Sequence, residues 1–470
     1  MTDPSPASSK PRQTSAKFLD GNLMRHVTIM SLSASVGLVS IFLVDFVDLL
    51  FIAQLGDPAL TAAIGFAGTV LYASFAVTLG LMIACGALGA RLIGQGDIEG
   101  VRATATSVMS FGFTISLVIA GILWLAAPGL IALLGASEAT HAHAVSYFRI
   151  VIFSMPIAAI GMMSSGLLRA HGDARRAMMV TLITGFVNAV LDPIFIFGFG
   201  WGLEGAAIAS VCARIAMVAT ALTPIIRHYG GFAPFSLAQL RLDLSPILGL
   251  TIPAILTNVA TPVGNSIVIM VLAPFGDEAV AGFAVIGRMS VLVFCVIFAL
   301  SGAVGPIIGQ NFGAQQYDRV KSTLREAMIF SSGFVLLAWG LLVVGHEHIS
   351  DLFKLTGSGR DMVVWYSWVA APLFLFNGAL FVSNAAFNNL KRPIWSSLLN
   401  WGKNTLGIAP FVILGAWLGD ASGVIVGQAL SGVFFGLFGL WLAYHLVSGY
   451  QSGDIDPDKP WWGKPRAYPS

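Results

Sequence analysis

The sequence predicts an all-α integral membrane protein with twelve transmembrane helices in two homologous six-helix bundles, related by a pseudo-two-fold along the membrane normal. Three observations predict it. Of 470 residues, 56% are hydrophobic and only 10% charged, with a mean hydropathy of +0.82, far from a soluble composition. The apolar residues fall into twelve runs, each near or above the ~20 residues that a spanning helix needs. The runs also repeat, because landmarks of the first half return about 215–220 residues later.

The spans are read at 26–54, 59–90, 104–134, 141–168, 177–199, 203–226, 245–274, 279–310, 322–346, 361–388, 394–418 and 421–447. An even number returns both termini to one side. Lys and Arg choose that side: Lys10, Arg12, Lys17, Arg25, Arg91, Arg102, Arg169, Arg175, Arg176 and Arg227 are among those in the tails and even-to-odd connections, against Lys354 and Arg360 opposite. Both termini are therefore expected in the cytoplasm, with the chain in the plasma (inner) membrane.

The repeat fixes the boundary between the halves. LGDPALTAAIGF at Leu55–Phe66 returns as FGDEAVAGFAV at Phe275–Val285, Gly94-Gln95 as Gly309-Gln310, Pro156 as Pro372, and Pro193 as Pro410. Six spans per half give both halves one orientation. The expected organisation is a disordered cytoplasmic tail at 1–25, an N-terminal half at 26–229, an amphipathic cytoplasmic linker at 230–246, a C-terminal half at 247–447 and a cytoplasmic tail at 448–470.

Several function classes drop out. No Gly-rich phosphate loop, zinc-ligand spacing or nucleophile elbow stands out, so no enzyme is expected, and the basic residues are too scattered for a nucleic-acid face. Cys85, Cys212 and Cys295 sit inside apolar runs and read as core packing. No cofactor is expected, the partners are the lipid bilayer and small organic molecules, and two halves in one chain are consistent with a functional monomer.

Chemistry concentrates where charge sits at membrane depth. An ionised carboxylate there costs on the order of 2.5–3.5 kcal/mol on insertion scales, so it needs a partner or a proton. Asp192 lies in GFVNAVLDPIFIFGFGWGLEG, with Asn188 one helical turn earlier on the same face. Pro193 has no N–H for the carbonyl of Ala189, which leaves that oxygen free beside the acid. Carboxylate, amide oxygen and loose carbonyl suit a hard cation or a proton-carrying acid. Asp45 and Asp48 stand three apart in helix 1, and repeat alignment places Asn265, Val268 and Ala409 opposite the three acids. A coupling-ion site therefore belongs to the first half. Arg214, Arg288 and Lys403 are cations at membrane depth, available to pair with the acids or to face a substrate cavity. The blander readings are structural ion pairs for the acids, helix-helix contacts for Asn188 and Ser210, and a solvated rim for His346, Glu347 and His348.

The sequence resembles the multidrug and toxic compound extrusion (MATE) family from helix 1 to helix 12. The resemblance rests on VDLLFIAQLG at Val47–Gly56, GARLIGQGD at Gly89–Asp97, LRAHGDARR at Leu168–Arg176, NAVLDPIFIFG at Asn188–Gly198 and GPIIGQNFGA at Gly305–Ala314, in that order. The acid-plus-proline helix 5 is similar to the DinF-like branch. The resemblance implies that Asp48, Asn188, Asp192 and Ser210 form the coupling site for Na⁺ or H⁺, with Asp45 an extra acid. It implies a cation-coupled antiporter exporting amphiphilic, cationic compounds by alternating access. Lys403 falls where relatives often have arginine. Ser33 replaces the family's helix 1 proline, while its repeat partner Pro253 is present, so a bend of helix 1 is in question. The alternative within transport is a lipid-linked saccharide flippase, which would want more basic residues at membrane depth than this chain offers.

Overall fold

A computed structural model describes residues 16–457 and 459. The first five helices are α1 (Leu23–Ala53), α2 (Pro58–Gln95), α3 (Ile98–Leu133), α4 (Glu138–Phe153) and α5 (Met155–Ala170). Then come α6 (Ala174–Pro193), α7 (Gly202–His228), α8 (Leu237–Leu272), α9 (Asp277–Val293), α10 (Cys295–Gly313) and α11 (Tyr317–Leu352). The last are α12 (Gly357–Trp365), α13 (Phe374–Asn389), α14 (Pro393–Gly402) and α15 (Ile408–Ser452).

Among the described residues, nine helices are by themselves long and apolar enough to span a membrane, and two bent pairs raise this to eleven. The twelfth is inside α15. Gly419 and Asp420 leave helical geometry, a side chain at Gly415 would overlap the carbonyl of Gly423, and one at Gly427 that of Phe411. Residues 411 and 427 would stand ~24 Å apart on a straight helix, so the chain must double back here into two antiparallel arms.

The bent pairs sit at equivalent places in the two halves. α4 and α5 meet at 48° beside Pro156, and the α12 segment and α13 at 64° across Pro372. Proline breaks the ladder because it brings no N–H and clashes with the preceding turn. Pro193 ends α6 and is followed by a π-helical turn at Ile194–Gly198, and further π turns occupy Tyr366–Ala370 and Lys403–Gly407. α1, by contrast, runs unbroken through Ser33.

The first and last described segments lie at one end of the molecule, and the two lobes meet there. Phe18, Val27, Met30 and Ala174 share an apolar cluster with Leu300, Ile307, Leu324, Phe387 and Tyr450. At the far end each lobe keeps its own core, around Ile52, Ile131, Phe148 and Ile196 in the first and Leu272, Ile286, Met362 and Val412 in the second. The backbones touch where the lobes meet: a side chain at Gly94 would overlap Gln310, and one at Gly313 the carbonyl of Arg91. The repeated Gly-Gln pairs thus form the closed seam.

The expected disordered tail needs correction. Residues 1–15 lie outside the described residues, but from Ala16 the chain is ordered and straps across the seam. Phe18 is 1% exposed. Its N–H donates to Gln310 Oε1 at 2.9 Å, and its carbonyl accepts from Asn311 Nδ2 at 3.2 Å and Arg319 Nη2 at 2.9 Å. Lys17 Nζ donates to Gly172 O at 2.9 Å in the other lobe, and Gln310 Nε2 to Ala170 O at 2.7 Å. Burial explains the order, since a seated phenylalanine gains about 1.5–3 kcal/mol against the entropy of a short segment.

The linker and the described part of the C-terminal segment are ordered as well. Only 230–236 is non-helical; its carbonyls at Phe232 and Ala233 accept from Arg102 Nη2 and Thr106 Oγ1, and α8 starts at Leu237 behind the Ser236 cap. α15 continues to Ser452, Ile455 packs against Gly449, and Arg392 Nη2 donates to the carbonyls of Asp456 and Lys459.

Candidate ion-coupling site

α1 and α6 approach closely, with Gly185 of α6 against Ser40 and Val44 of α1. That contact sets the heights of the acids. Asn188 and Asp192 are buried, at 7% and 0% exposure, and Asp48 is half-buried on the facing side of α1. The carboxyls of Asp48 and Asp192 face each other within interaction range, and the Asn188 side chain reaches Asp192. Yet Oδ1 and Oδ2 of Asp192, Oδ1 of Asp48 and Nδ2 of Asn188 have no aligned hydrogen bond among the described residues. A buried polar atom without a partner costs ~1–3 kcal/mol, and more when charged, so the two carboxyls are costly to keep ionised without a cation or a proton. Two carboxylates and an amide oxygen are donors for a hard cation, and equally a pair that holds a proton between like charges.

Other expected residues fall around this centre. Asp45 is exposed and within electrostatic range of Asp48. Ser210 is half-buried on α7 and makes no hydrogen bond to Asp48, Asn188 or Asp192. Arg214, one turn further, does not pair with the acids. Its Nη1 donates to Val151 O at 2.9 Å and Ser154 Oγ at 2.8 Å, filling the break between α4 and α5. Tyr147 on α4 lies within electrostatic range of Asp48, Arg214, Asp192 and Asp45; reading the sequence missed it, and a lone phenol in an apolar span is the only signal that pointed there.

The second lobe holds its cations apart from the acids. Lys403, at the start of a π turn, donates to Asn377 Oδ1. Arg288 is exposed on α9 and forms no ion pair among the described residues. Amide and hydroxyl bonds tie this lobe together: Asn400 Nδ2 donates to Asn384 Oδ1 at 2.9 Å, and Ser397 Oγ to Pro253 O at 2.6 Å. His346, Glu347 and His348 lie near the far end of α11, where the His346 ring meets Trp368 edge-on.

The MatE family model matches residues 34–194 and again residues 253–413. The chain belongs to the MatE family. Two matches of equal length, one per lobe, are the repeat seen in the sequence. This MatE protein is 27% identical over 446 residues to the "FAD transporter" of Shewanella oneidensis, covering 93% of this chain and 98% of that protein. It is 27% identical over 363 residues to the "Multidrug export protein MepA" of Staphylococcus aureus, covering 75% and 78%. Its fold matches the solved "outward-facing conformation of a multidrug resistance MATE family transporter" with a TM-score of 0.87 at 21% identity, over 93% of this chain and 99% of that one. It is a multi-pass membrane transporter and not an enzyme.

Proposed function

We propose that this MatE protein is a cation-coupled antiporter, driven by Na⁺ or H⁺, that exports small amphiphilic cationic compounds. The observation that carries the reading is the buried, unpartnered Asp48–Asp192–Asn188 cluster. By the Lys/Arg asymmetry the termini lie in the cytoplasm of a cell inner membrane, so the closed seam is the cytoplasmic gate and the far end opens outward. An ion or proton entering from outside neutralises the two carboxyls and removes their mutual repulsion. α1 then repacks against α6 and α7. Because α1 also carries the strap that crosses the seam, its movement is a route by which ion occupancy biases the lobes between two arrangements. Export of toxic amphiphiles is supported by the likeness to MepA.

A second substrate class has its own support. The relative named as an FAD transporter is matched over nearly its full length, and the second lobe offers Arg288 and Lys403, suited to phosphate oxygens. Proteoliposomes under an imposed Na⁺ or pH gradient, loaded in parallel with a lipophilic cation and with FAD, separate the readings. Gradient-driven movement of either substrate that disappears in Asp192→Asn supports coupling through the cluster. Wild-type rates in that variant would sink it, and insensitivity to both gradients would favour a flippase.

A further inference from the structure

On the outer perimeter of the first lobe, α3, α4 and α7 enclose a groove of about 680 Å³ lined by Trp124, Val145, Ser146, Arg149, Ile150 and Phe153, with Ile208 and Val211 along α7. α4 packs chiefly against α2, α3, α5 and α7, all of the first lobe. The groove's surroundings are apolar and exposed, with Leu125 at 72% and Phe153 at 73%. It therefore opens to lipid and not to the cleft between lobes.

Arg149 is out of place on such a surface. Intramembrane cations normally face the bundle interior or pair with acids. Arg149 lies over the Trp124 ring, 4.3 Å from its centroid, and its Nε donates to Trp124 O at 3.3 Å. Its Nη groups have no partner among the described residues. Ser146, one groove wall away, donates to Glu204 Oε1 at 2.9 Å, and Glu204 makes no ion pair with Arg149.

Depth decides what can meet those Nη groups. Arg149 is eleven residues below the start of α4, ~16 Å at 1.5 Å per residue. The α4–α5 span is some 45–50 Å long against ~30 Å of hydrocarbon, which leaves about 10 Å outside at each end. Side chains lean toward a helix N-terminus, here the far end, so the guanidinium rises to within a few ångströms of the far headgroup layer. Trp124 beside it is the residue type that marks that boundary.

We propose that this groove is a phosphoglyceride site: the phosphodiester of a lipid in the far leaflet binds Arg149, and an acyl chain lies along Ile150, Phe153, Ile208 and Val211. Basic pockets between spanning helices bind lipid headgroups on the cytoplasmic side; a guanidinium offers the far leaflet the same charge-assisted bond to phosphate, stronger than a neutral one. The site needs only membrane insertion and stands apart from the ion cluster.

The test uses delipidated full-length protein in detergent, titrated with phosphatidylglycerol, phosphatidylethanolamine or phosphate-free diacylglycerol, with melting temperature and native mass spectrometry as readouts. Both phospholipids should raise the melting temperature and remain bound, and diacylglycerol should do neither. Arg149→Gln should weaken phospholipid binding about 10–100-fold, as loss of a charge-assisted bond implies. Should Arg149→Gln fold poorly, Val211→Phe fills the acyl track with Arg149 kept and should lose the bound lipid too. Equal stabilisation by diacylglycerol, or unchanged phospholipid binding in either variant, overturns the proposal.

Discussion

At the scale of the residue, two groups of titratable side chains do different work. Asp192 is fully buried, while Asp45, three residues before Asp48, is exposed. Coupling should therefore depend on them unequally. Asp192→Asn is expected to reduce gradient-driven transport to the level of empty liposomes with normal membrane assembly, whereas Asp45→Asn should retain it at a reduced rate. The second group lies outside the spans, at the seam. Burial pushes His171 down to about 4 from 6.5, and its ring stacks on Tyr229 at 4.2 Å. Burial would raise Asp173, but the Tyr229 hydroxyl and Arg176 guanidinium outweigh it and hold the carboxyl below its usual value. The folded chain thus leaves His171 neutral where the unfolded chain protonates it, and stability falls as pH drops from about 6.5 to about 4. Asp173 contributes only lower, through its own depressed titration. His171→Phe keeps the stacking and should flatten the upper part of that pH dependence, read as melting temperature against pH.

At the scale of the element, the strap at 16–22 and the break at Ser154 matter most. Phe18 seals the seam from a segment with no secondary structure, so its side chain is the anchor. Phe18→Ala should cost about 3 kcal/mol or more, in the range of buried phenylalanine deletions. Because Phe18 joins groups of both lobes at the seam, the variant should also speed hydrogen exchange of the seam backbone at 90–95 and 307–313. Unchanged stability and exchange would mean the strap is passive. In α4–α5, Pro156 opens the ladder and Arg214 occupies the opening. Arg214→Met leaves Ser154 Oγ and the Val151 carbonyl without that donor, and should destabilise by roughly 1–3 kcal/mol, measured by thermal unfolding in detergent.

At the scale of the whole molecule, the lobes share a core at one end only. Movement between two arrangements must therefore open that seam. Ala90 and Gly309 face each other across it, an added Cβ at Gly309 lying 2.7 Å from that of Ala90. Gly309→Val would also drive its Cβ to 2.6 Å from Asn389 Oδ1, so it should wedge the seam and lower the melting temperature in detergent, as overpacking does. An unchanged melting temperature would show that the seam is not closely packed there.

Hydropathy and the repeat determined the spans, the two halves and the first-lobe placement of Asp48 and Asp192, because lipid demands long apolar helices and penalises every charge inside them. Pro156 and Pro372 were visible as repeat landmarks, but only the packed structure turned them into bends of 48° and 64°. Periodicity fixes which face a residue occupies on its own helix, not what stands opposite. Thus Arg214 went to the α4–α5 break, Lys403 to Asn377, Tyr147 joined the acids, and Phe18 left an expected disordered tail to close the seam. Those choices depend on close packing between segments up to some 300 residues apart in the chain, as in the Arg319 bond to Phe18, and tertiary structure alone decides them.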